Sequence, residues 1–508
     1  MSLPIPKLLG STIVLSLLPC AYAFTSAIKE STLLLSHVMK GTLVIWSIIE
    51  ILFYIYYLHA RKRLQQTNKP HKPLNETERA SLFWNCVQTI DDVATWSEGW
   101  FYYKKDHSHP QFKEIQRENL ALWFAWAFWH ENLEVVRKDE AWSNELEWML
   151  DSAEDWFKVK FPKGQNKELQ CIRLNLDPVH ACHRPLIVYV GLYVLTMLFN
   201  MIFLQWMLAF TAYDTTLSGV VWGGILGHLH YAIQYTKALL FKSEEAPDKK
   251  DLLPRAISYF YRGSSSNNKT PLVFLHGIGA GVVCYAELIH QLVSLDRPIF
   301  LVELPYVAMR MVDYVPSAAE TVGEIQAMLK SFGYDKAVYI SHSMGTGASS
   351  WVMNMAPETI AGLVMIDPIC FLLHYHNVAF NFVHRIPKTF IEYIMHYGAA
   401  RELYISNYIS RHFQWFETIY FSQPSNCAQL PVLPSPLDTK GPLANATVFL
   451  SEKDGIVGSS VVHNYLLERG VDARIMEGLE HAMFLSSRYW KKTISNQIDT
   501  IARKADIK

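Results

Sequence analysis

From residue 256 onward, short β-rich runs alternate with stretches of helical length, and this rhythm constrains the chain more than any other feature. The runs fall at 257–262, 271–275, 298–303, 337–340, 362–366, 447–450 and 473–476. The first two flank a turn of Gly263, three serines and two asparagines. Strands separated by helices cannot pair as hairpins, so they predict a mainly parallel sheet with helices on both faces. An α/β architecture over 256–508 follows.

One of these strands carries the sharpest chemical signal. Ala337–Ile340 runs into Ser341-His342-Ser343-Met344-Gly345, and a small-residue helix follows (Thr346-Gly-Ala-Ser-Ser350). A serine on a tight strand-to-helix turn is exposed to substrate, and its flanking positions must be small so that the backbones can approach. The helix N-terminus adds partial positive charge and free N–H groups. The pentapeptide in this setting resembles the nucleophile elbow of the α/β-hydrolase superfamily, especially its serine esterases and monoacylglycerol lipase-like members. Ser341 replaces the first glycine of the usual G-x-S-x-G, a mild departure.

Two further segments carry the same resemblance. Leu275-His276-Gly277-Ile278-Gly279-Ala280-Gly281 ends a strand, like the family's His-Gly loop. The resemblance makes the backbone N–H groups of Ile278 and Met344 the oxyanion donors, each worth roughly 3 kcal/mol of barrier. Without a Gly-Lys-Ser/Thr ending, the loop is not a phosphate cradle. Downstream, Asp454 closes a strand and His481 follows 27 residues later, giving the chain order Ser, Asp, His. An imidazole titrates near neutrality and can shuttle the serine proton, and a carboxylate fixes its tautomer. Asp367, at the end of the preceding strand, is the rival acid. His276 and His342 read as loop-positioning residues. The insert 369–442 is rich in aromatics and resembles the fold's helical cap.

The first half of the chain is organised differently. Apolar stretches run over 8–28, 41–59 and 185–213, with a weaker fourth reaching Tyr235. Each of the first two approaches the ~20 residues that cross a bilayer. Ala21-Tyr22-Ala23 has the form of a signal cleavage site, but a second apolar segment so close behind favours two anchoring helices. Lys7 and Arg61-Lys62-Arg63 make these a hairpin with both ends cytoplasmic. The third and fourth stretches suit a second hairpin that returns the chain to the cytoplasm. If the fourth does not cross, the catalytic domain faces the lumen. In the alternative, these helices pack on the catalytic domain or lie in the interface.

The resulting division is 1–63 membrane anchor, 64–184 Trp-rich helical region, 185–242 second apolar pair, 243–255 charged linker and 256–508 hydrolase domain. Nine of the fifteen tryptophans lie in 64–184. Pairs such as Trp96/Trp100 and Trp126/Trp129 share helix faces, either as core packing or as the wall of an acyl tunnel. The sequons at Asn75, Asn268 and Asn445 matter only if luminal.

Bulk properties narrow the functions. A net charge of −1 gives no field for nucleic acid. Seven cysteines without a C-x-x-C pair imply neither a disulfide framework nor a zinc ribbon. The expectation is an integral membrane serine hydrolase, in the endoplasmic reticulum or another endomembrane, cleaving the ester of an apolar acyl group, as in a lipid, without metal or organic cofactor. An aspartate-nucleophile enzyme of the same fold is disfavoured by Ser343. An acyltransferase using the same acyl-enzyme is the nearest alternative; its H-x-x-x-x-D pattern is missing, since Ser486 holds the fifth position after His481. A non-catalytic membrane scaffold is the other, and it would have no need of a full triad.

Overall fold

The computed structural model describes residues 34–67, 73–213, 257–265, 269–422 and 441–507. The first apolar stretch, the fourth stretch, the linker 243–255 and the sequon at Asn268 lie outside the described residues, as does 423–440 of the cap.

Ten strands are present among the described residues. Phe101–Tyr103 (β1) and Leu169–Cys171 (β2) form a small antiparallel pair. The other eight form one sheet: Thr211–Tyr213 (β3), Tyr259–Arg262 (β4), Leu272–Leu275 (β5), Ile299–Val302 (β6), Ala337–His342 (β7), Ile360–Ile366 (β8), Ala446–Ser451 (β9) and Asp472–Met476 (β10). Their spatial order is β10-β9-β8-β7-β5-β6-β4-β3. β4 is antiparallel to both β3 and β6, and every other pairing is parallel. A single antiparallel strand beside one edge and a β7 that hands the chain to a central helix define the α/β-hydrolase fold. β5, β6 and β7 are buried at every position, because helices cover both faces of the sheet.

All seven expected strands are present, with bounds within two residues. The eighth is a correction. β3 lies at the tail of the apolar stretch 185–213 and pairs with β4, so the folded unit begins well before residue 256. Three residues at the end of an apolar run give no period of their own.

The Trp-rich region is not a separate body either. Its buried residues, from Leu82 to Leu174, share one continuous core with the sheet and cap. Trp96 and Trp100 both donate their indole N–H to His374 O (2.8 and 3.0 Å). Trp415 donates to Ala127 O at 3.3 Å. Trp123 and Trp126 are fully buried, whereas Trp148 and Trp156 are exposed. Asn75 caps the helix Glu76–Val87, and the Asn445 amide donates to Ala361 O and Ile501 O, so both described sequons serve the fold.

Among the described residues, two helices are long and apolar enough to cross a membrane: the stretch Val38–Arg63 of the helix Leu34–Arg63 (α1), and Leu186–Met207 (α2). α2 changes from α to π geometry at Phe199. Glu50, the charge that interrupts the first of them, is buried. Its carboxylate accepts the N–H groups of Leu186 (2.8 Å) and Ile187 (3.2 Å). An anion there satisfies orphan donors and opposes the positive end of the helix dipole. The C-terminal part of α1 docks on the cap through Tyr57, Ala60, Leu403 and Tyr404.

Candidate active site

Ser343 follows β7 and opens the helix Gly345–Met355 (α3). Its φ is +51°, a left-handed conformation that a non-glycine residue adopts at a cost of about 1–3 kcal/mol. The turn is held on several sides. Ser343 N–H donates to Ile366 O at 3.0 Å, and Ser343 O accepts from Thr346 N–H (2.9 Å) and Thr346 Oγ1 (2.6 Å). α3 passes so close to β5 that a Cβ on Gly345 would lie 2.3 Å from Leu275 O. A Cβ on Gly277 would lie 2.9 Å from that of Ser343. Glycine is therefore required at both positions. Ser341 is buried, and its Oγ has no hydrogen-bond partner.

The structure brings Ser343, His481 and Asp454 together. His481 Nε2 lies 2.8 Å from Ser343 Oγ, and its Nδ1 lies 2.7 Å from Asp454 Oδ2. The other Asp454 oxygen accepts N–H groups from Ile456 (2.7 Å) and Val457 (2.9 Å). With Nδ1 donating to the carboxylate, Nε2 is free to accept the serine proton. Burial opposes the imidazolium. The charge and hydrogen bond of Asp454, with Asp367 beyond it, outweigh that and push His481 up to about 9.

Asp367, the rival acid, makes no hydrogen bond to the imidazole. It is fully buried at φ +44°. Its carboxylate accepts from Ser451 N–H (2.7 Å), Ser451 Oγ (3.0 Å) and Ala482 N–H (3.0 Å). Burial raises its pKa. Asp367 thus ties the end of β9 to the loop that carries His481. Asp367, Asp454 and His481 form a tight cluster of the kind that can hold a cation, yet these hydrogen bonds already engage both carboxylates and both imidazole nitrogens.

Ile278 and Met344 both border the cavity that opens on Ser343. Behind them, Tyr285 Oη accepts the N–H of Gly277 (2.9 Å) and lies 2.7 Å from His342 Nδ1. With Tyr285 donating, His342 carries its proton on Nε2, which faces Asp367 Oδ2 at 3.9 Å. His276 accepts Leu304 N–H on Nε2 and lies 2.9 Å from Gly277 O through Nδ1. Both histidines brace the loops around the serine, and burial lowers the pKa of each. Tyr285 was not foreseeable: nothing in the sequence separates it from the other twenty-five tyrosines.

The cavity has a volume of about 180 Å³. Apart from Ser343, His342 and His481 its lining is apolar, with Phe382, Met395 and Ala399 from the cap and Leu174 from the Trp-rich region. No described tryptophan borders it, so the tryptophan stripe packs behind the cap.

No family model matches the chain, and no curated protein matches its sequence. Among solved structures, the chain is similar to a carboxylesterase of Nitrososphaera gargenis, with 14% identity over 49% of this chain and 97% of that one, at a TM-score of 0.34. A monoacylglycerol lipase of Paleococcus ferrophilus gives 13% identity over 49% and 99%, also at 0.34. A carboxylesterase of Bacillus subtilis gives 12% over 53% and 97%, at 0.30. These similarities span about half of the chain.

Proposed function

We propose that this chain is a membrane-associated serine hydrolase that cleaves a carboxylic ester with an apolar acyl group, of the kind found in lipids. One observation carries the reading: Ser343 Oγ, His481 and Asp454 form an unbroken hydrogen-bonded relay at the floor of an apolar cavity.

The chemistry follows from the atoms. Ser343 Oγ attacks the ester carbonyl while His481 Nε2 takes its proton. The carbonyl oxygen gains the negative charge, and the N–H groups of Ile278 and Met344 receive it. As the C–O bond breaks, His481 returns the proton to the leaving alcohol, and the acyl group stays on Ser343. Water, deprotonated by the same imidazole, then releases the carboxylic acid. Asp454 holds the imidazole tautomer and stabilises its cation.

The membrane part of the reading rests on α1. From Val38 to Ile49 none of its residues is buried, although the stretch is strongly apolar. Such a helix needs an apolar solvent on every side. Arg61, Lys62 and Arg63 at its end support a cytoplasmic catalytic domain by the positive-inside rule.

A fluorophosphonate probe tests the catalytic assignment. Membranes containing the full chain should be labelled, and Ser343→Ala should abolish labelling. Equal labelling of both would overturn the assignment. Lipid products analysed with and without an added alcohol acceptor then separate hydrolysis from acyl transfer.

A further inference from the structure

The helix α2 passes every length and composition test for a membrane span, yet both of its ends are fixed to the same folded body. Near its start, Tyr189 Oη donates to the buried Glu402 of the cap at 2.7 Å. Near its end, Leu204 is fully buried in the core beneath the sheet with Phe260 and Phe274. β3 follows at once and pairs with β4. Fifteen residues separate Tyr189 from Leu204, about 22 Å of helix. A crossing helix carries its ends to opposite sides of a ~30 Å hydrocarbon layer. With these two anchors, crossing would draw the sheet or the cap into lipid, where open strand edges and irregular backbone cannot be satisfied.

The pattern around α2 is inverted relative to a water-facing helix. Tyr189, Thr196, Asn200 and Leu204 form the buried stripe, and it includes the polar residues. Ile187, Val194, Leu198, Ile202 and Trp206 are exposed, Trp206 at 81%. The cover for this face is indicated by α1, which Glu50 joins to the start of α2 and whose apolar stretch from Val38 to Ile49 has no buried residue.

We infer that α2 lies along the membrane interface, with its body-facing stripe on the hydrolase and its opposite face in the hydrocarbon of one leaflet, and that it does not cross. The enzyme then sits flat on the bilayer instead of hanging from a second hairpin. This inference rests on the membrane reading of α1 but is independent of the chemistry at Ser343.

Site-directed spin labels on the full chain in phosphatidylcholine/phosphatidylglycerol vesicles test it, in a background with accessible native cysteines replaced. Single cysteines at Ile187, Val194, Leu198, Ile202 and Trp206 report collision with oxygen in the lipid and with a nickel chelate in water. Only variants that keep the parent's melting temperature are compared. All five labels should lie at one shallow depth, within about 5–10 Å of the headgroup boundary. A depth that rises to a maximum mid-helix, with the ends on opposite sides, would make α2 a span and overturn the inference. Labels shielded from both reagents would place a protein segment on this face, with the same consequence. Labels at Leu43 and Ile45 of α1 separate the two readings. If these are in lipid and those on α2 in water, the inference alone fails; if none meets lipid, the membrane reading fails and takes the inference with it.

Discussion

Asp367 binds the residue next to the imidazole without binding the imidazole itself: its Oδ2 accepts Ala482 N–H at 3.0 Å, while His481 is held by Asp454 at 2.7 Å. The two acids therefore differ in what their loss should do. Asp454→Asn leaves a side chain of the same shape but spoils the tautomer, and kcat should fall by about 10⁴ with little change in melting temperature. Asp367→Asn turns an amide donor toward Ser451 or Ala482, leaving buried N–H groups unpaired at about 1–3 kcal/mol. Its main effect should be a melting temperature lower by several degrees, with a smaller loss of kcat. Kinetics and thermal melts on both variants check the division. The reverse pattern would make Asp367 the orienting acid.

The proton balance at His481 gives a pH signature. Only neutral imidazole accepts the serine proton, so kcat/KM should rise with pH through the His481 pKa. Asp454 raises that pKa, which places the acid limb above the ordinary imidazole range, near 9 in the free enzyme. Removing the negative charge in Asp454→Asn favours the neutral imidazole and should move the acid limb to lower pH, even as the maximal rate falls. A pH profile of kcat/KM for both proteins checks this, and an unmoved limb would mean that another group controls it.

Around the elbow, the two small positions should respond in opposite ways. Ser341 Oγ is buried without a partner, so Ser341→Ala removes an unsatisfied group and should leave kcat/KM within about twofold, with stability equal or higher. Gly345→Ala forces a Cβ against Leu275 O. Neither β5 nor α3 can yield without displacing the loop of Ile278. Soluble yield and probe labelling should both collapse, by the overpacking that makes such changes severe. Expression and labelling of the pair decide it.

These contrasts mark how far the sequence reaches. Ser343, Asp454 and His481 could be picked out as a set because each follows a strand of a mainly parallel sheet within a few residues, and the structure brings their side chains together. Choosing between Asp454 and Asp367 was harder, since both close strands and only the path of the loop from β9 tells which carboxylate meets Nδ1. β3 was illegible because Thr211–Tyr213 carries no alternation distinct from the apolar run before it. The tryptophans at 96 and 100 and at 126 and 129 were read as pairs sharing helix faces, and Trp96 and Trp100 do meet the same carbonyl, His374 O. That they pack behind the cap, while Leu174 reaches the cavity, depends on a core between segments some 300 residues apart, and local periodicity contains no such term. Glu50 looked like an interruption in a span because its partners, two backbone N–H groups, leave no trace in side-chain identity.

Glu50 should accordingly matter to α2 and not to the chemistry. Pro185 precedes the helix without a side-chain cap, and the Glu50 carboxylate supplies one from α1. Glu50→Ala leaves both donors unmet, at about 0.5–2 kcal/mol. Hydrogen exchange in 183–192 should accelerate while probe labelling of Ser343 is unchanged, and Glu50→Gln, which keeps an acceptor, should recover most of the protection. Unaltered exchange in Glu50→Ala would show that the contact does not hold the helix.

The cavity offers the most direct handle on specificity. Ala399 lines it from the cap, in an apolar lining that also includes Phe382 and Met395. A bulky side chain at 399 should fill part of the roughly 180 Å³ and exclude the far methylenes of an acyl chain while sparing a short one. Each excluded methylene forfeits about 0.8 kcal/mol. Expelling four amounts to about 3 kcal/mol, or roughly a hundredfold. In a series of p-nitrophenyl esters, Ala399→Phe should keep kcat/KM for acetate within a few-fold of the parent and lose about two orders of magnitude for octanoate or longer. Phe382→Ala should shift the preference the other way. A loss uniform across chain length would mean that residue 399 supports the cap without touching the acyl group, and that the cavity is not where the chain lies.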